Sequence, residues 1–353
     1  MKILILKPSS LGDVVQALPV LRLLKGHYRD AEIFWWIDAK LAPLLEGDPD
    51  LAGLVRFERD RWAALRHWPE MFRSVRWMRR QQFDIVIDLQ SLIRSGAFAW
   101  LANGKFLIGL DDSREGARGF YDLAVRRRSF HTHAVDWYLA VLPQLGVPVH
   151  NHFQWLPERR HVAAEVNRKW LNEDSKFRTQ NSKLILLQPG ARWPNKRWPV
   201  EYFAELVRSL ARKFPDARFA ILGGAEDQPL GGIIARVEPE LCLNLCGRTS
   251  LPEMIEWIRL SDLMITNDTG PMHVAAALGK PLVALFGPTE PRRTGPYRRL
   301  DSVLRVDLPC SPCLKSRCHY EKKNECLNAL SPATVFEFAQ KKMETTKDTN
   351  WHE

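Results

Sequence analysis

The sequence lacks any apolar run long enough to predict a membrane-spanning helix. Of its 353 residues, 45% are hydrophobic and 26% are charged, which is typical of a globular protein with an ample core. Met1 and Lys2 are followed by only four apolar residues before Lys7, which is too short for the apolar part of a signal peptide. We therefore expect two domains of ordinary size, placed in the cytoplasm.

The first turn of the chain lacks the glycines that usually form a phosphate-binding loop. Residues 3–6 are apolar, and the stretch KPSSLGDVVQALPVLRLLK that begins at Lys7 predicts a tight polar turn and a helix. This turn contains one glycine, Gly12, and a carboxylate beside it, Asp13. On pattern alone, Asp13 is either the N-cap of a helix that begins near Val14 or a group with a chemical task.

Positive charge exceeds negative charge, with a formal net charge of +10 and a sequence pI near 9.4. Such an excess indicates anionic partners, which include nucleic acid, anionic lipid headgroups and phosphorylated substrates. Thirteen tryptophans are unusually many, and Trp62, Trp68 and Trp77 lie beside or near arginines. This pattern suits an amphipathic contact surface, although a packed helix face would also give it.

Strand and helix patterns alternate along the whole chain, without a short-period repeat, and predict parallel sheets of the α/β class. The break at 148–157, a polar helix and a linker-like stretch separate two runs of strands. We therefore predict two doubly wound domains, 1–165 and 180–330, followed by a C-terminal helix and tail, 331–353. Ligands of such sheets bind outside the carboxyl ends of the strands, and two sheets facing one another would form a cleft. The predicted strands are 2–7, 32–37, 54–57, 84–89, 106–110, 184–188, 218–222, 263–266 and 282–286.

The stretch DLMITNDTGPMHVAAALGKPLVALFGPTEP in the second half predicts an anion-binding site. A buried strand runs into Asp268 and Thr269, either of which could be an N-cap, and a helix begins near Pro271. The N–H groups at a helix start attract anions, and Thr269 and His273 add further donors. Residues 287–290 form a second polar turn at the same edge of the sheet.

These stretches, NDTGPMHVAAALGKPLVALFGPTEP and LKPSSLGDVVQALPVL, resemble the heptosyltransferases of glycosyltransferase family 9, which build the inner core of lipopolysaccharide from ADP-heptose. FDIVIDLQSLIRSG, SREGARGFYD and HAVDWYLAVLPQLG are most similar to the first heptosyltransferase, which acts on the Kdo (3-deoxy-manno-octulosonic acid) of lipid A. The resemblance covers nearly the whole chain. It implies the GT-B fold, in which two Rossmann-like domains face a central cleft.

The resemblance also implies an inverting transfer in which Asp13 is the general base. Direct displacement at the anomeric carbon needs a group that takes the proton of the acceptor hydroxyl. Lys196 matches the phosphate lysine of the family and would stabilise the charge that develops on the leaving ADP. No Asp-x-Asp pair is placed to hold Mg²⁺, so Lys196 and the helix start at Gly270 would replace a metal, and no catalytic cofactor is expected.

The same resemblance assigns further residues to the sugar-nucleotide donor. Ser9 and Ser10 would supply hydroxyl groups, Glu226 would hold the ribose hydroxyls, and Thr249 would offer a backbone contact to adenine. The alternatives are ordinary turn residues for the serines and an exposed loop acid for Glu226. The predicted donor-binding residues are Ser9, Ser10, Lys196, Glu226, Thr249, Asp268, Thr269, Gly270 and His273.

Four basic residues match family positions that face the anionic acceptor, namely Arg61, Arg94, Arg114 and His133. Guanidinium groups suit carboxylates and phosphates. The alternative for each is a surface salt bridge, most of all for Arg61, because the loop before it aligns poorly. The expected partner is Kdo-lipid A at the inner membrane surface, with no nucleic acid, so the protein would work in the cytoplasm or on the inner face of that membrane.

Four of the six cysteines lie close together in PCSPCLKSRCHYEKKNEC, at Cys310, Cys313, Cys318 and Cys326. This spacing is typical of a metal site, and thiolates suit zinc or iron. Cytoplasmic thiols stay reduced, so disulfides are not expected. The alternative is a compact loop with free cysteines, and a metal here would be structural.

Three other interpretations stay open. The chain could be a family 9 transferase with another donor or acceptor, such as the second core heptose or a protein. It could be a non-catalytic sugar-nucleotide-binding protein, against which Asp13, Lys196, Glu226 and His273 argue together. It could be a nucleic-acid binder with a zinc knuckle, but no concentrated basic and aromatic motif surrounds the cysteines. The heptose epimer, the acceptor hydroxyl and the oligomeric state are not predicted.

Overall fold

The computed structural model describes residues 1–112, 115–172 and 182–345. The chain divides into two compact units, Met1–Pro157 and Glu158–Glu353, and each contains one six-stranded parallel sheet. The first predicted domain, 1–165, ended inside a helix that belongs to the second unit.

The first unit has the strand order β3-β2-β1-β4-β5-β6. Its central strand β1 reads KILIL, and Ile3 to Leu6 are completely buried. A strand with neighbours on both sides and helices on both faces requires such a continuous apolar run. The strands are β1 (Lys2–Leu6), β2 (Glu32–Asp38), β3 (Gly53–Phe57), β4 (Ile85–Asp88), β5 (Phe106–Asp111) and β6 (Leu123–Arg126). The helices are α1 (Leu11–His27), α2 (Trp68–Gln81), α3 (Ile93–Leu101) and α4 (Ala134–Leu139).

The second unit has the order β12-β11-β10-β7-β8-β9. Its β10 and β11 are fully buried along their whole length. The strands are β7 (Lys183–Gln188), β8 (Ala217–Ile221), β9 (Cys242–Asn244), β10 (Leu263–Asn267), β11 (Leu282–Phe286) and β12 (Val303–Arg305). The helices are α5 (Arg160–Asn172), α6 (Val200–Lys213), α7 (Gln228–Ala235), α8 (Leu251–Leu260), α9 (Gly270–Ala277), α10 (Pro291–Thr294), α11 (Glu325–Asn328) and α12 (Pro332–Thr345).

The strand order reverses beside the first strand of each sheet. In the first unit β1 lies between β2 and β4, and in the second unit β7 lies between β8 and β10. The loops on the two sides of such a reversal turn away from each other, which leaves a crevice at the carboxyl ends of the strands. The sequence motifs that follow β1 and β4, and those that follow β7 and β10, therefore meet at these two crevices.

All nine predicted strands are present, and the predicted doubly wound sheets are confirmed. The prediction missed β6 and β12, which have four and three residues and lie in the outermost positions of their sheets. Their side chains are half-buried, so they lack the apolar runs that mark the central strands. No helix in the described ranges is both long enough and apolar enough to cross a membrane.

Candidate active site

The carboxyl end of β1 carries a buried ammonium group, that of Lys7. The residue is 4% exposed, and its Nζ donates to the carbonyl of Leu89, just after β4, at 3.0 Å. It also lies 4.7 Å from the centre of the Tyr138 ring. Burial works to lower the pKa of Lys7, but the opposing influence of Tyr138, Asp13 and Asp88 is larger, and the pKa is raised. Lys7 is thus a fixed cation in the crevice between β1 and β4.

The two carboxylate oxygens of Asp13 have different surroundings, one at the start of α1 and the other beside Tyr138. Its Oδ2 accepts the backbone N–H of Ser10 at 2.9 Å and the Ser10 hydroxyl at 2.8 Å. The Tyr138 hydroxyl lies 3.5 Å from the other oxygen, Oδ1. Because α1 begins at Leu11, Ser10 is the N-cap and Asp13 is the third helical residue of a capping box. The predicted alternative, in which Asp13 is the N-cap of a helix from Val14, is wrong in position, since the cap lies three residues earlier.

A buried carboxylate at the end of β4, that of Asp88, fixes the neighbouring turn. Its Oδ2 accepts the hydroxyls of Tyr121 at 2.7 Å and Ser95 at 2.8 Å. Burial raises the pKa of Asp88 although these hydrogen bonds oppose it. Gly109 gives the Tyr121 ring its space, because a Cβ there would lie 2.3 Å from a ring carbon. The network holds the start of α3, the helix that carries Arg94.

Two predicted acceptor residues lie at the starts of helices in the first unit. Arg94, in the first turn of α3, is exposed, and its guanidinium carbon lies 6.0 Å from the centre of the Phe57 ring. In the described residues it has no ion pair, so its charge is available to an anion. His133 is the N-cap of α4, and its Nδ1 accepts the N–H of Val135 at 3.1 Å.

The other two predicted acceptor residues differ. Arg61 forms an ion pair with Glu70 at 2.6 Å, and both side chains are partly exposed. This is the surface salt bridge that the sequence left open as the alternative for Arg61. Arg114 lies outside the described residues.

In the second unit, Lys196 and Asp268 meet where β7 and β10 end. The Lys196 Nζ lies 2.6 Å from Oδ2 of Asp268 and 4.8 Å from the centre of the Trp193 ring. The Thr289 hydroxyl, which follows β11, donates to the same Oδ2 at 2.5 Å. Asp268 is 6% exposed, so this carboxylate holds the lysine from within the protein.

Asn267, the last residue of β10, holds the loop that carries Lys196 in place through two hydrogen bonds. Its Oδ1 accepts the N–H of Trp198 at 3.1 Å, and its Nδ2 donates to the carbonyl of Pro189 at 2.7 Å. The two bonds connect both ends of the loop after β7 to the neighbouring strand. The position of Lys196 therefore depends on the sheet rather than on the loop alone.

Helix α9 begins beside the Lys196–Asp268 pair. Thr269 is the N-cap residue, with extended backbone and without a side-chain capping bond, and Gly270 is the first helical residue. The hydroxyl of Thr269 is therefore not engaged in capping the helix. His273 is half-buried on the first turn of α9. The helix start, the lysine and the hydroxyls of Thr269 and Thr289 lie at one edge of the sheet.

The predicted ribose acid and its neighbour have opposite environments. Glu226 is exposed, and its carboxylate folds over Gly224, where a Cβ would lie 2.4 Å from Oε2. Asp227 is 5% exposed, and its Oδ2 accepts the N–H of Gly224 at 3.1 Å. A Cβ at Gly190 would lie 2.1 Å from the same oxygen, so this glycine lets the Asp227 carboxylate approach the turn after β7. Burial raises the pKa of Asp227.

Thr249 and the two serines complete the predicted donor set. Thr249 is half-buried and precedes Ser250, the N-cap of α8. Ser9 is half-buried, and Ser10 is exposed with its hydroxyl bound to Asp13. The first unit thus holds Ser9 and Ser10, and the second unit holds the remaining predicted donor residues.

Comparisons with known proteins point to one family. The model of glycosyltransferase family 9 (heptosyltransferase) matches residues 71–324. Lipopolysaccharide heptosyltransferase 1 of Pseudomonas aeruginosa is 30% identical, over 92% of this chain and 89% of its own. Lipooligosaccharide heptosyltransferase 2 of Campylobacter jejuni is 27% identical, over 96% of this chain and 98% of its own.

The chain belongs to glycosyltransferase family 9. The structure of E. coli ADP-heptose lps heptosyltransferase II has a TM-score of 0.77 and 24% identity, and covers 98% of this chain and 100% of that one. This likeness shows the fold, and the predicted GT-B fold with two Rossmann-like units is confirmed. The predicted membership of the family and the assignment as a heptosyltransferase are also confirmed.

Sequence reasoning missed several groups of this family 9 site. Lys7, Asp88 and Asp227 were not selected, and Tyr138 was noted only within a quoted motif. The sequence did contain a signal for Lys7 and Asp88, because each is a charged residue at the end of an apolar strand. Such a charge is buried at the edge of the sheet, and the free-energy cost of burying it has to be offset by a partner. No local pattern indicated Tyr138, which reaches Lys7 and Asp13 from a helix more than 120 residues away.

The four clustered cysteines line one cavity of about 190 Å³, and all of them are free thiols. Burial, followed by the influence of the three neighbouring thiols, raises the pKa of Cys326 to about 11. Four thiols on one cavity fit zinc or iron by their chemistry. Their arrangement does not yet fit, because the described residues include no group of three or more cysteine, histidine or acidic side chains positioned to hold a metal ion.

The cysteine segment, residues 310–326, also supports the loops at the crevice between β7 and β10. Asn195, next to Lys196, donates from Nδ2 to the carbonyl of Lys315 at 2.8 Å. The N–H of Leu314 donates to the carbonyl of Pro288 at 2.8 Å, and the Ser311 hydroxyl donates to the carbonyl of Gly287 at 2.7 Å. The cysteine segment is therefore joined both to the Lys196 loop and to the turn after β11.

Proposed function

We propose that this family 9 enzyme transfers heptose from ADP-heptose to the Kdo of lipid A, with inversion at the anomeric carbon. The observation that carries the proposal is the crevice between β7 and β10, where Lys196 and the start of α9 lie together. A cation beside free backbone N–H groups is suited to a diphosphate. The P. aeruginosa heptosyltransferase 1, similar over 92% of this chain, supports the choice of the first heptose.

On the acceptor side, Asp13 takes the proton of the attacking hydroxyl. The buried cation of Lys7 interacts electrostatically with this carboxylate. The bond from Ser10 to Oδ2 holds the group in one orientation and leaves Oδ1 on the side of Tyr138. Arg94, exposed and without an ion pair in the described residues, binds the carboxylate or a phosphate of the acceptor.

On the donor side, Lys196 stabilises the leaving ADP. Negative charge grows on the outer phosphate as the bond to the sugar breaks, so a fixed cation there lowers the barrier more than it strengthens ground-state binding. Asp268 keeps the lysine in place, and its own charge is offset by Lys196 and Thr289. The backbone N–H of Gly270, at the start of α9, adds a further donor, whereas Pro271 has no N–H and the N–H of Met272 donates to the carbonyl of Thr269 at 3.2 Å. With these groups, the transfer requires no divalent cation.

The remaining predicted donor residues have secondary roles in this proposal. Glu226, exposed on the loop after β8, holds the ribose hydroxyls, while buried Asp227 supports the turn at Gly190. Thr249 offers its backbone to adenine. His273 lies one turn into α9 and donates toward the phosphates.

Mass analysis of the reaction product tests the proposal. Purified enzyme is incubated with ADP-heptose and either Kdo-lipid A or the same acceptor that already carries one heptose. We expect one heptose to be added to Kdo-lipid A. Transfer only to the heptose-bearing acceptor would make this a second-heptose enzyme, in line with the C. jejuni relative. Binding of ADP-heptose without transfer to either acceptor would favour a non-catalytic binding protein.

We further propose that the four clustered cysteines hold a structural zinc or iron ion that draws their sulfur atoms together. The support is that Cys310, Cys313, Cys318 and Cys326 line the same cavity. Such an ion would hold the cysteine segment against the Lys196 loop. Elemental analysis of the purified protein should find one zinc or iron ion per chain, and a Cys313→Ser variant should lose it. A metal-free protein of full stability would mean a compact loop with free thiols.

A further inference from the structure

Helix α2 and the turn before it present apolar side chains to solvent. Leu65 is 71% exposed, Trp68 is 42% exposed and Phe72 is 59% exposed. The Trp68 and Phe72 rings lie edge to face with their centres 6.4 Å apart. The opposite face of the helix already serves the core, since Met78 is completely buried and Val75 packs against the same cluster. The exposed residues are therefore not needed for packing within the unit.

The same helix carries a dense set of arginines. Trp68, Phe72, Arg76 and Arg79 follow one another at intervals of four, four and three residues, which places them in one stripe along the helix. Arg73 and Arg80 lie beside this stripe. The six aromatic and basic residues and Leu65, which we call the α2 surface, are Leu65, Trp68, Phe72, Arg73, Arg76, Arg79 and Arg80.

The charge of the α2 surface is not neutralised by the protein. Residues 65–81 contain five arginines and a single acid, Glu70. The Glu70 carboxylate is already engaged by Arg61 at 2.6 Å and His67 at 3.2 Å. Arg73, Arg76, Arg79 and Arg80 are exposed, and none has an ion pair within the parts of the chain that the structure describes. The surface is thus apolar at one end and strongly positive along its length.

We propose that the α2 surface binds an anionic lipid bilayer, with the helix lying in the plane of the headgroups. Helices that lie on membranes combine exposed aromatic and aliphatic side chains with arginines, because the apolar groups enter the acyl boundary while the cations meet anionic lipid. Nucleic acid fits less well. Leu65 is the most exposed of these apolar residues, and an aliphatic side chain makes no favourable contact with a phosphate backbone. The proposal rests on this surface alone and not on the proposed transfer.

Lipid binding would place the first unit at the membrane. Helix α2 ends at Gln81 and leads within four residues into β4, whose end carries Asp88 and precedes Arg94. A bilayer bound to α2 would therefore contact the same unit that carries the proposed acceptor residues Asp13 and Arg94. An acceptor with lipid chains could then be bound without leaving the bilayer.

Vesicle flotation tests the proposal directly. The full-length protein is mixed with vesicles of phosphatidylglycerol and phosphatidylethanolamine, or of phosphatidylcholine alone, without sugar nucleotide or acceptor. We expect binding to the anionic vesicles only. Phe72→Ser should weaken it about tenfold through lost apolar burial. The double variant Arg76→Gln/Arg79→Gln should weaken it about 30-fold, because each arginine near an anionic surface contributes about fivefold.

Two matched variants in the second unit serve as controls. Leu171→Ser removes an apolar side chain that is 57% exposed, and Arg208→Gln/Arg212→Gln removes two exposed arginines from one face of α6. Both should float like the unmodified protein. Equal losses in the controls would assign binding to the overall positive charge and overturn the proposal. So would no flotation of the unmodified protein, or a polynucleotide affinity that only the α2 variants lose. The thermal unfolding of each variant is recorded to show that it is folded.

Discussion

At the scale of single residues, the proposed mechanism gives the chemistry to Asp13 and Lys196, whose charged groups are fixed by other side chains. Ser10 and Tyr138 flank the two oxygens of Asp13, and buried Lys7 supplies a nearby positive charge. Lys196 is positioned through Asp268. Both active groups were selected from the sequence, but their fixing partners, apart from Ser10 and Asp268, were not. Those partners come from distant segments that only the folded chain brings near.

Asp13→Asn should reduce turnover by roughly 10²–10⁴ while ADP-heptose still binds, because the amide cannot take a proton from the acceptor. The amide oxygen can still accept the N–H of Ser10, so the start of α1 should remain intact. Turnover and donor affinity are measured on the same preparation.

The matched control is Glu253→Gln, which alters the third residue of the corresponding capping box in α8. There Glu253 Oε2 accepts the N–H and the hydroxyl of Ser250, both at 2.8 Å. This variant should lose stability without losing turnover. If Asp13→Asn behaved like it, Asp13 would be a capping residue only.

At the scale of elements, the central strands and the outer strand β3 could be predicted from sequence, whereas the short outer strands β6 and β12 could not. Strands such as β1 and β11 are uninterrupted apolar runs because parallel strands are buried on both faces. The short outer strands β6 and β12 have no such run. The crevices also needed the structure, because pairings such as β1 with β4 join segments about 80 residues apart.

Gly109→Ala should lower the free energy of unfolding by about 1–3 kcal/mol, because the new Cβ would displace the Tyr121 ring from β5. The displaced ring would also loosen the hydroxyl bond to Asp88 and the turn before α3. Gly119→Ala is the control, since a Cβ there has no atom within 4 Å. Denaturant unfolding gives the free energy of unfolding of both variants. Equal values for the two would contradict the packing of Tyr121 on β5.

The short helix α10 should make stability depend on pH through Glu290. This N-cap carboxylate accepts the N–H of Arg292 at 3.0 Å and its guanidinium at 2.9 and 3.1 Å. The hydrogen bonds from the Arg292 side chain, more than anything else, lower the pKa of Glu290 below its ordinary 4.5. A lowered pKa means that the charged form stabilises the fold fully above the ordinary value. That stabilisation is lost as the pH falls through the lowered value.

Glu290→Gln should therefore be less stable than the unmodified protein at neutral pH, by about 0.5–2 kcal/mol as for other caps. The difference should shrink as the pH falls from 4.5 through the lowered pKa of Glu290, because the unfolded chain takes up the proton first and the folded protein only at the lower value. Thermal unfolding of both proteins between pH 3 and 7 measures this difference in stability. A difference that stays constant over this range would show that the charge of Glu290 does not matter.

At the scale of the whole molecule, the two units have equivalent sheets with different chemistry at their crevices. The first presents a carboxylate flanked by a buried lysine, and the second presents a lysine beside a helix start. This division suits a base for an acceptor and a cation for a leaving diphosphate. The sequence predicted the two sheets and both charged groups, whereas the choice between first and second heptose stays a proposal.

Transfer should survive EDTA, because Lys196 and the start of α9 neutralise the leaving diphosphate without a metal. Activity is measured before and after chelation and again with added Mg²⁺. Loss on chelation with recovery in Mg²⁺ would contradict this electrostatic account. Circular dichroism on the same samples shows whether chelation unfolded the cysteine segment instead.

Steady-state kinetics with each substrate varied in turn tests the division of roles most directly. Arg94→Ala should raise the KM for the acceptor and leave that for ADP-heptose nearly unchanged. Lys196→Ala should lower kcat, because its contact strengthens as charge develops on the leaving group. Arg212→Ala, on the exposed face of α6, should change neither. A defect confined to ADP-heptose in Arg94→Ala would contradict the account, since Arg94 would then contact the donor and not the acceptor.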